Sequence, residues 1–215
     1  MTTTIERDEN PVRPPKRRMG RAEWRMIAAV AVIGVGLGVF LFQPHTYAGT
    51  VLQSPRPAPS LEGLTFSNGE PADLAVFEGD VVLMYFGYTN CPDICPTSMA
   101  TIARAKEVLG DDADRIHALL VTVDPERDTA EALNRYLGNV DRGFLGVYGP
   151  EETLMTTAML YGIHSEVHDE AEELGYTVDH TGTIIAIGPD GHVRVLYSHT
   201  VTADDLSADL AELLG

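Results

Sequence analysis

Cysteine and lysine are both scarce in this 215-residue chain. There are two of each: Cys91 with Cys95, and Lys16 with Lys106. Two cysteines exclude a disulfide-rich scaffold and leave either one bridge or one site. Basic residues number 15 against 32 acidic, a net charge of −17, which speaks against nucleic-acid binding by charge alone. No cysteine precedes Cys91, so the stretch before it holds no lipobox, and no apolar pair follows Arg17-Arg18 at the twin-arginine offset. No internal repeat is apparent. Hydrophobic residues make up 44% of the chain, too many for global disorder and enough for a sizeable core.

What is present is unevenly placed. Residues 1–49 carry seven basic and four acidic side chains, a net of +3, which leaves eight basic and 28 acidic, a net of −20, for residues 50–215. Residues 26–42, MIAAVAVIGVGLGVFLF, are seventeen uncharged and mostly apolar residues. As a helix such a run reaches about 25 Å, near the thickness of a hydrocarbon core. Trp24 and Tyr47 flank it where interfacial aromatics belong, and the arginines before it keep residues 1–25 cytoplasmic by the positive-inside rule. The expectation is a basic cytoplasmic terminus (1–25), a transmembrane anchor (26–43), a Pro-rich linker (44–60) and an extracytoplasmic domain (61–215) at the cell membrane. The competing reading is a cleaved signal peptide ending at Thr46-Tyr47-Ala48.

The domain reads as alternating strands and helices. VVLMYF at 81–86 is a central strand buried on both faces. A helix follows, with Met99, Ile102, Ala103 and Leu109 on one face and Gly110 closing it. Residues 116–123 are the next strand, Asp128 with Glu131 reads as a capping box, and 144–148 is a third strand. A helix over 151–161, a hairpin of 183–187 with 192–197, and a final helix bearing Leu206, Leu210, Leu213 and Leu214 complete the order. The predicted fold class is α/β, a mixed central sheet with helices on both faces.

The chemistry concentrates in GYTNCPDICP. Pro92 and Pro96 suit a first helical turn, so Cys91 and Cys95 straddle a helix N-terminus at the carboxyl end of a buried strand. Amides and helix dipole there favour thiolate, raising nucleophilicity and metal affinity together. A structural disulfide across so short a loop removes little unfolded-state entropy. Of seven histidines, His45, His117, His164, His168, His192 and His199 read as surface or hydrogen-bonded residues, whereas His180, in VDHTGT on a loop before a strand, would face the Cys-bearing helix if the sheet is thioredoxin-like.

Three segments in order, GYTNCPDICPTSM, VTVDPERDT and VDHTGTIIAIGPDG, resemble the Sco (SenC) family, over about residues 55–212. The resemblance implies a membrane-anchored, thioredoxin-like copper protein that assembles the binuclear copper (CuA) site of cytochrome c oxidase subunit II. Carried over by motif, the copper ligands are Cys91, Cys95 and His180. The implied partners are subunit II and a thioredoxin-like reductant or another copper chaperone. VDPERDT is read as strand exit and helix cap, hence scaffold. The departures are Asn90 before Cys91, where His is common, and Gly182 after His180-Thr181, which is expected to loosen that loop.

Donor chemistry agrees with the resemblance: two thiolates and an imidazole suit Cu(I), and a fourth donor, with Asp93, Asp179 or water as candidates, suits Cu(II). Three alternatives stay open. One is a thiol–disulfide oxidoreductase in which Cys91 attacks and Cys95 resolves. Another is a peroxidase activated by Thr89. The last is a copper sensor with the same ligands.

Overall fold

Val81–Gly87 forms strand β3 because every side chain in the run has a core to enter. Val81, Leu83 and Tyr85 enter one cluster, and Val82, Met84 and Phe86 enter another on the opposite face. That alternation is the period of a strand buried on both sides. Each fully buried large aliphatic of this kind contributes about 1.5–3 kcal/mol. The protein is described by a computed structural model over residues 20–41, 45–168, 177–180 and 182–215, with the side chains of Ile27, 36–41, 165–168 and 177–180 outside that description. It divides into two units, Met1–Pro44 and His45–Gly215.

In the first unit, α1 spans Arg21–Leu41 and carries the apolar run as far as Leu41. Trp24, Met26, Val30, Val32, Ile33 and Val35 are all exposed on it. Among the described residues, no helix is long and apolar enough to cross a membrane.

The second unit begins with β1, Thr50–Pro57, which pairs antiparallel with β9. These residues were expected to be part of a spacer. Pro55 and Pro57 are tolerated because β1 is an edge strand, where a missing N–H leaves no ladder bond broken. Tyr47, expected as an interfacial aromatic, packs against the domain core and the ring of His45.

After β1 come β2 (Thr65–Phe66), β3, α2 (Ile94–Leu109), β4 (Ile116–Thr122), α3 (Ala130–Gly138), β5 (Leu145–Tyr148) and α4 (Glu151–Leu160). Then follow β6 (Ser165–His168), β7 (Thr177–His180), β8 (Thr183–Ile187), β9 (His192–Ser198) and α5 (Ala203–Leu214). The main sheet runs β1-β9-β8-β3-β4-β5-β2. Strands β3, β4 and β5 are parallel, and β8 and β2 join this parallel set antiparallel. Residues of α2, α3 and α5 fill the core on one face, and α4 with the 61–77 segment fills it on the other. The mixed sheet covered on both faces is the predicted class.

Two expectations change. Thr129, not Asp128, caps α3, with its hydroxyl accepting from the Ala132 amide at 3.2 Å. The segment around 164–180, to which the sequence assigned no strand, contributes β6 and β7, which pair with each other as a separate two-stranded ladder, Ser165 opposite His180. Strands of four residues that pair only with each other, off the main sheet, carry little apolar alternation for a sequence reading to find.

Candidate metal centre

Strand β3 ends at Gly87, and the chain turns through Tyr88, Thr89 and Asn90 into Cys91. Helix α2 then begins at Ile94, so the two cysteines bracket its first turn at the carboxyl end of the central strand. The Cys95 amide donates to Cys91 Sγ at 3.4 Å, the interaction by which a helix N-terminus stabilises negative sulfur. Both cysteines are thiols.

The two sulfurs have different surroundings. Cys91 is half-buried, whereas Cys95 is fully buried, sharing the inner stripe of α2 with Met99 and Ile102. A hydrogen bond to Cys91, followed by burial, pushes the Cys95 thiol well above the usual thiol range. Beneath them lie Tyr85 and Tyr136, both pushed up chiefly by burial and then by the charge of Cys95. A methyl group placed on Gly87 would lie 2.8 Å from Cys95 Sγ and 2.8 Å from the Tyr85 ring, so the glycine is there to let the sulfur reach the strand.

The turn before Cys91 is braced by the VDPERDT segment. Asp128, 1% exposed, accepts from the Thr89 amide at 3.1 Å, the Thr89 hydroxyl at 2.5 Å and the Thr122 hydroxyl at 2.7 Å. Burial raises its carboxyl above the usual value despite those bonds. Arg127 is paired through Nε with buried Asp124, and its guanidinium lies 5.7 Å from the centre of the Tyr88 ring. The segment is scaffold, as expected: Thr129 caps α3, and Asp128 in addition braces the dithiol turn. Thr89, the candidate peroxide-activating hydroxyl, is committed to Asp128.

The imidazole side is defined by backbone. His180 ends β7 opposite Ser165, and its side chain, like that of Asp179, lies outside the described residues. Two residues on, Gly182 lies against the dithiol turn: a methyl group there would come within 3.1 Å of Ile94 Cγ2 and 3.4 Å of His199 Nδ1. Asp93 is exposed at the N-cap of α2 and makes no side-chain cap bond. Among the described residues, no three His, Cys, Asp or Glu side chains form a metal cage. His45, His117 and His192 are paired with Asp209, Asp80 and Asp190, the hydrogen-bonded role expected of them.

Sequence reasoning missed Asp128 as a brace, because its helix-starting pattern offered a sufficient local explanation. His199 is exposed, as read from sequence, but the pairing of Ser198 with Thr183, which nothing in the local sequence shows, brings it beside Gly182.

Comparison with known proteins agrees with this architecture. The SCO1/SenC family description matches residues 63–215. A "Putative copper-binding protein" of Stutzerimonas stutzeri is 32% identical over 165 residues, covering 76% of this chain and 80% of its own. The structure of apo Sco1 from Thermus thermophilus superposes with a TM-score of 0.67 at 35% identity, covering 79% of this chain and 98% of that one. Bradyrhizobium japonicum ScoI with copper bound gives 0.64 at 31% identity, covering 74% and 98%. With one thiol just before α2 and one in its first turn, a buried brace from VDPERDT and this match over most of its length, the chain belongs to the SCO1/SenC family.

Proposed function

We propose that this protein is a membrane-anchored copper metallochaperone that holds its cargo through Cys91, Cys95 and His180 and delivers it to the CuA site of cytochrome c oxidase subunit II. The observation that carries this reading is the half-buried Cys91 sulfur, supplied with the Cys95 amide at 3.4 Å and backed by a second, buried thiol four residues on. Two soft sulfurs and one imidazole match Cu(I), which favours thiolate donors. The copper-binding name of the Stutzerimonas relative and the copper-bound state of the Bradyrhizobium protein support the same cargo.

Uptake must displace the Cys95 proton, which burial and the bond to Cys91 otherwise retain, so copper binding releases protons. Release runs in the other direction. An incoming thiolate reaches copper from the exposed Cys91 side, Cys91 leaves first, and Cys95 recovers its proton as the ion departs. The exposed apolar side chains of α1 support residues 26–43 as the anchor, with the domain on the extracytoplasmic side.

The unequal burial of the thiols favours a second reading, an extracytoplasmic thiol–disulfide oxidoreductase. Cys91 would attack a partner disulfide, and Cys95 would then displace the partner. The partner gains two thiols as Cys91 and Cys95 become a disulfide.

The test is a Cu(I) titration of the full chain, reduced and in detergent, against a strong chelator. One copper per chain is expected, with Cys91→Ser and Cys95→Ser losing the competition and His180→Ala weakened at least about tenfold. No tight copper together with rapid disulfide exchange would replace the chaperone reading by the reductase. The anchor is checked separately: the native protein is expected in the membrane fraction after an alkaline wash, and a soluble form starting near Gly49 would overturn it.

A further inference from the structure

We infer that His199 is a fourth copper donor, an imidazole that joins Cys91, Cys95 and His180 when the bound ion is Cu(II) and stays off the metal when it is Cu(I). This rests on the ligand set proposed above and adds to it a residue outside the motifs.

Placement comes first. Thr183 pairs with Ser198 at the end of the β8–β9 ladder, so His199 is the residue that continues the ladder opposite Gly182. Its Nδ1 and Cβ lie 3.4 and 3.5 Å from where a Gly182 methyl would stand, and that same methyl would touch Ile94, between the two cysteines, at 3.1 Å. The φ of Gly182 is not positive, so glycine is required there for space rather than for backbone conformation. The empty position lies between the His199 ring and Ile94, the residue that precedes Cys95; His199 is not gathered with the two sulfurs here, so it joins the metal by turning its side chain toward them.

Presentation comes second. His199 sits in a tight turn closed by the Val201 amide to the Ser198 carbonyl at 3.0 Å, with the Ser198 and Thr200 hydroxyls 3.0 Å apart. The backbone is therefore fixed while the side chain is exposed and able to turn about its two torsions. A fixed backbone with a mobile imidazole suits a donor that joins the metal in one oxidation state only.

Charge and coordination supply the rest. Cu(I) is satisfied by three soft donors, whereas Cu(II) prefers four donors in tetragonal geometry with nitrogen or oxygen among them. Two thiolates already neutralise Cu(II). A carboxylate from Asp93 or Asp179 would leave that half-buried centre at −1 inside a domain whose net charge is −20, while a neutral imidazole leaves it at zero.

The experiment is EPR of the Cu(II)-loaded full chain with histidine labelled by nitrogen isotope, alongside parallel Cu(II) and Cu(I) competition titrations. His199→Ala and His199→Asn are compared with Asp93→Ala. The expected result is a two-imidazole spectrum reduced to one in both His199 variants. Cu(II) affinity should fall at least about tenfold, while Cu(I) affinity and the Asp93→Ala spectrum stay unchanged. An unaltered Cu(II) spectrum in His199→Ala, or an equal loss of Cu(I) affinity, would overturn the inference and leave the three-ligand site standing. Undiminished copper binding in Cys91→Ser and His180→Ala would instead overturn the three-ligand reading itself, and this inference with it.

Discussion

The sulfur arm of the proposed site is tied into the interior, whereas its proposed imidazole arm is held by backbone pairing at the end of a ladder. Cys95 is buried on the inner stripe of α2, and the turn before Cys91 hangs from buried Asp128. His180 ends a four-residue strand paired only with β6, and His199 is exposed in a turn one residue past the β8–β9 pairing. A donor built into the core ties metal geometry to folding stability. A donor carried at a ladder end can be changed, or can move, with little cost to the fold. Substitutions in the first arm are thus expected to cost stability and copper together, and those in the second to cost copper alone.

The strongest challenge to that contrast is Asp128, which never touches a sulfur. Asp128→Ala strands the Thr89 amide and the buried Thr122 hydroxyl, and is expected to cost about 2–4 kcal/mol in chemical denaturation. A loss below about 0.5 kcal/mol would mean the brace is incidental. The pH dependence has a definite sign. Burial raises the Asp128 carboxyl above its usual 3.8, so the folded state binds this proton more tightly than the unfolded one. Its stabilising contribution is complete below 3.8 and is lost as pH rises through the folded-state value. The wild-type advantage over Asp128→Asn should therefore be largest on the acid side and shrink as pH rises through that window.

Gly87→Ala sharpens the contrast from the strand side. The added methyl meets Cys95 Sγ and the Tyr85 ring at 2.8 Å each, and overpacking of this kind costs about 1–3 kcal/mol. Cys95 is buried and is expected to resist alkylation in the folded wild type. In the variant it should become reactive as the sulfur is pushed out, while Cys91 reacts in both. Unchanged Cys95 protection would show that the strand, not the sulfur, gives way.

How much of this was legible beforehand follows the same division. The buried run at 81–86, the Met99 and Ile102 stripe, the leucines of α5 and the dithiol at a helix N-terminus are all local patterns, and local patterns survive in sequence. Strand β1 was masked by Pro55 and Pro57, which read as spacer because their tolerance depends on β1 being at a sheet edge. Asp128 was explained too cheaply by a cap that Thr129 in fact supplies. His199 comes beside Gly182 only through the β8–β9 register, a non-local fact. The copper ligand assignment came from motif resemblance, and His180 remains part of the proposal.

The smallest expected effect on stability falls at Gly182, where the two arms meet. An added methyl comes to 3.1 Å of Ile94 and 3.4 Å of His199 Nδ1, tight contacts against a half-buried and an exposed side chain that can both yield. Gly182→Ala should therefore change stability by less than about 1 kcal/mol. Its consequence is directional. Relief comes most easily by rotation of the exposed His199 ring away from the dithiol, so Cu(II) affinity should fall with that of His199→Ala while Cu(I) affinity holds. The double variant Gly182→Ala with His199→Ala should be no weaker than His199→Ala alone, because both act on one donor. Additive losses would place the effect of Gly182 on Ile94 and the sulfurs instead, and the separation between the two arms would fail at their point of contact.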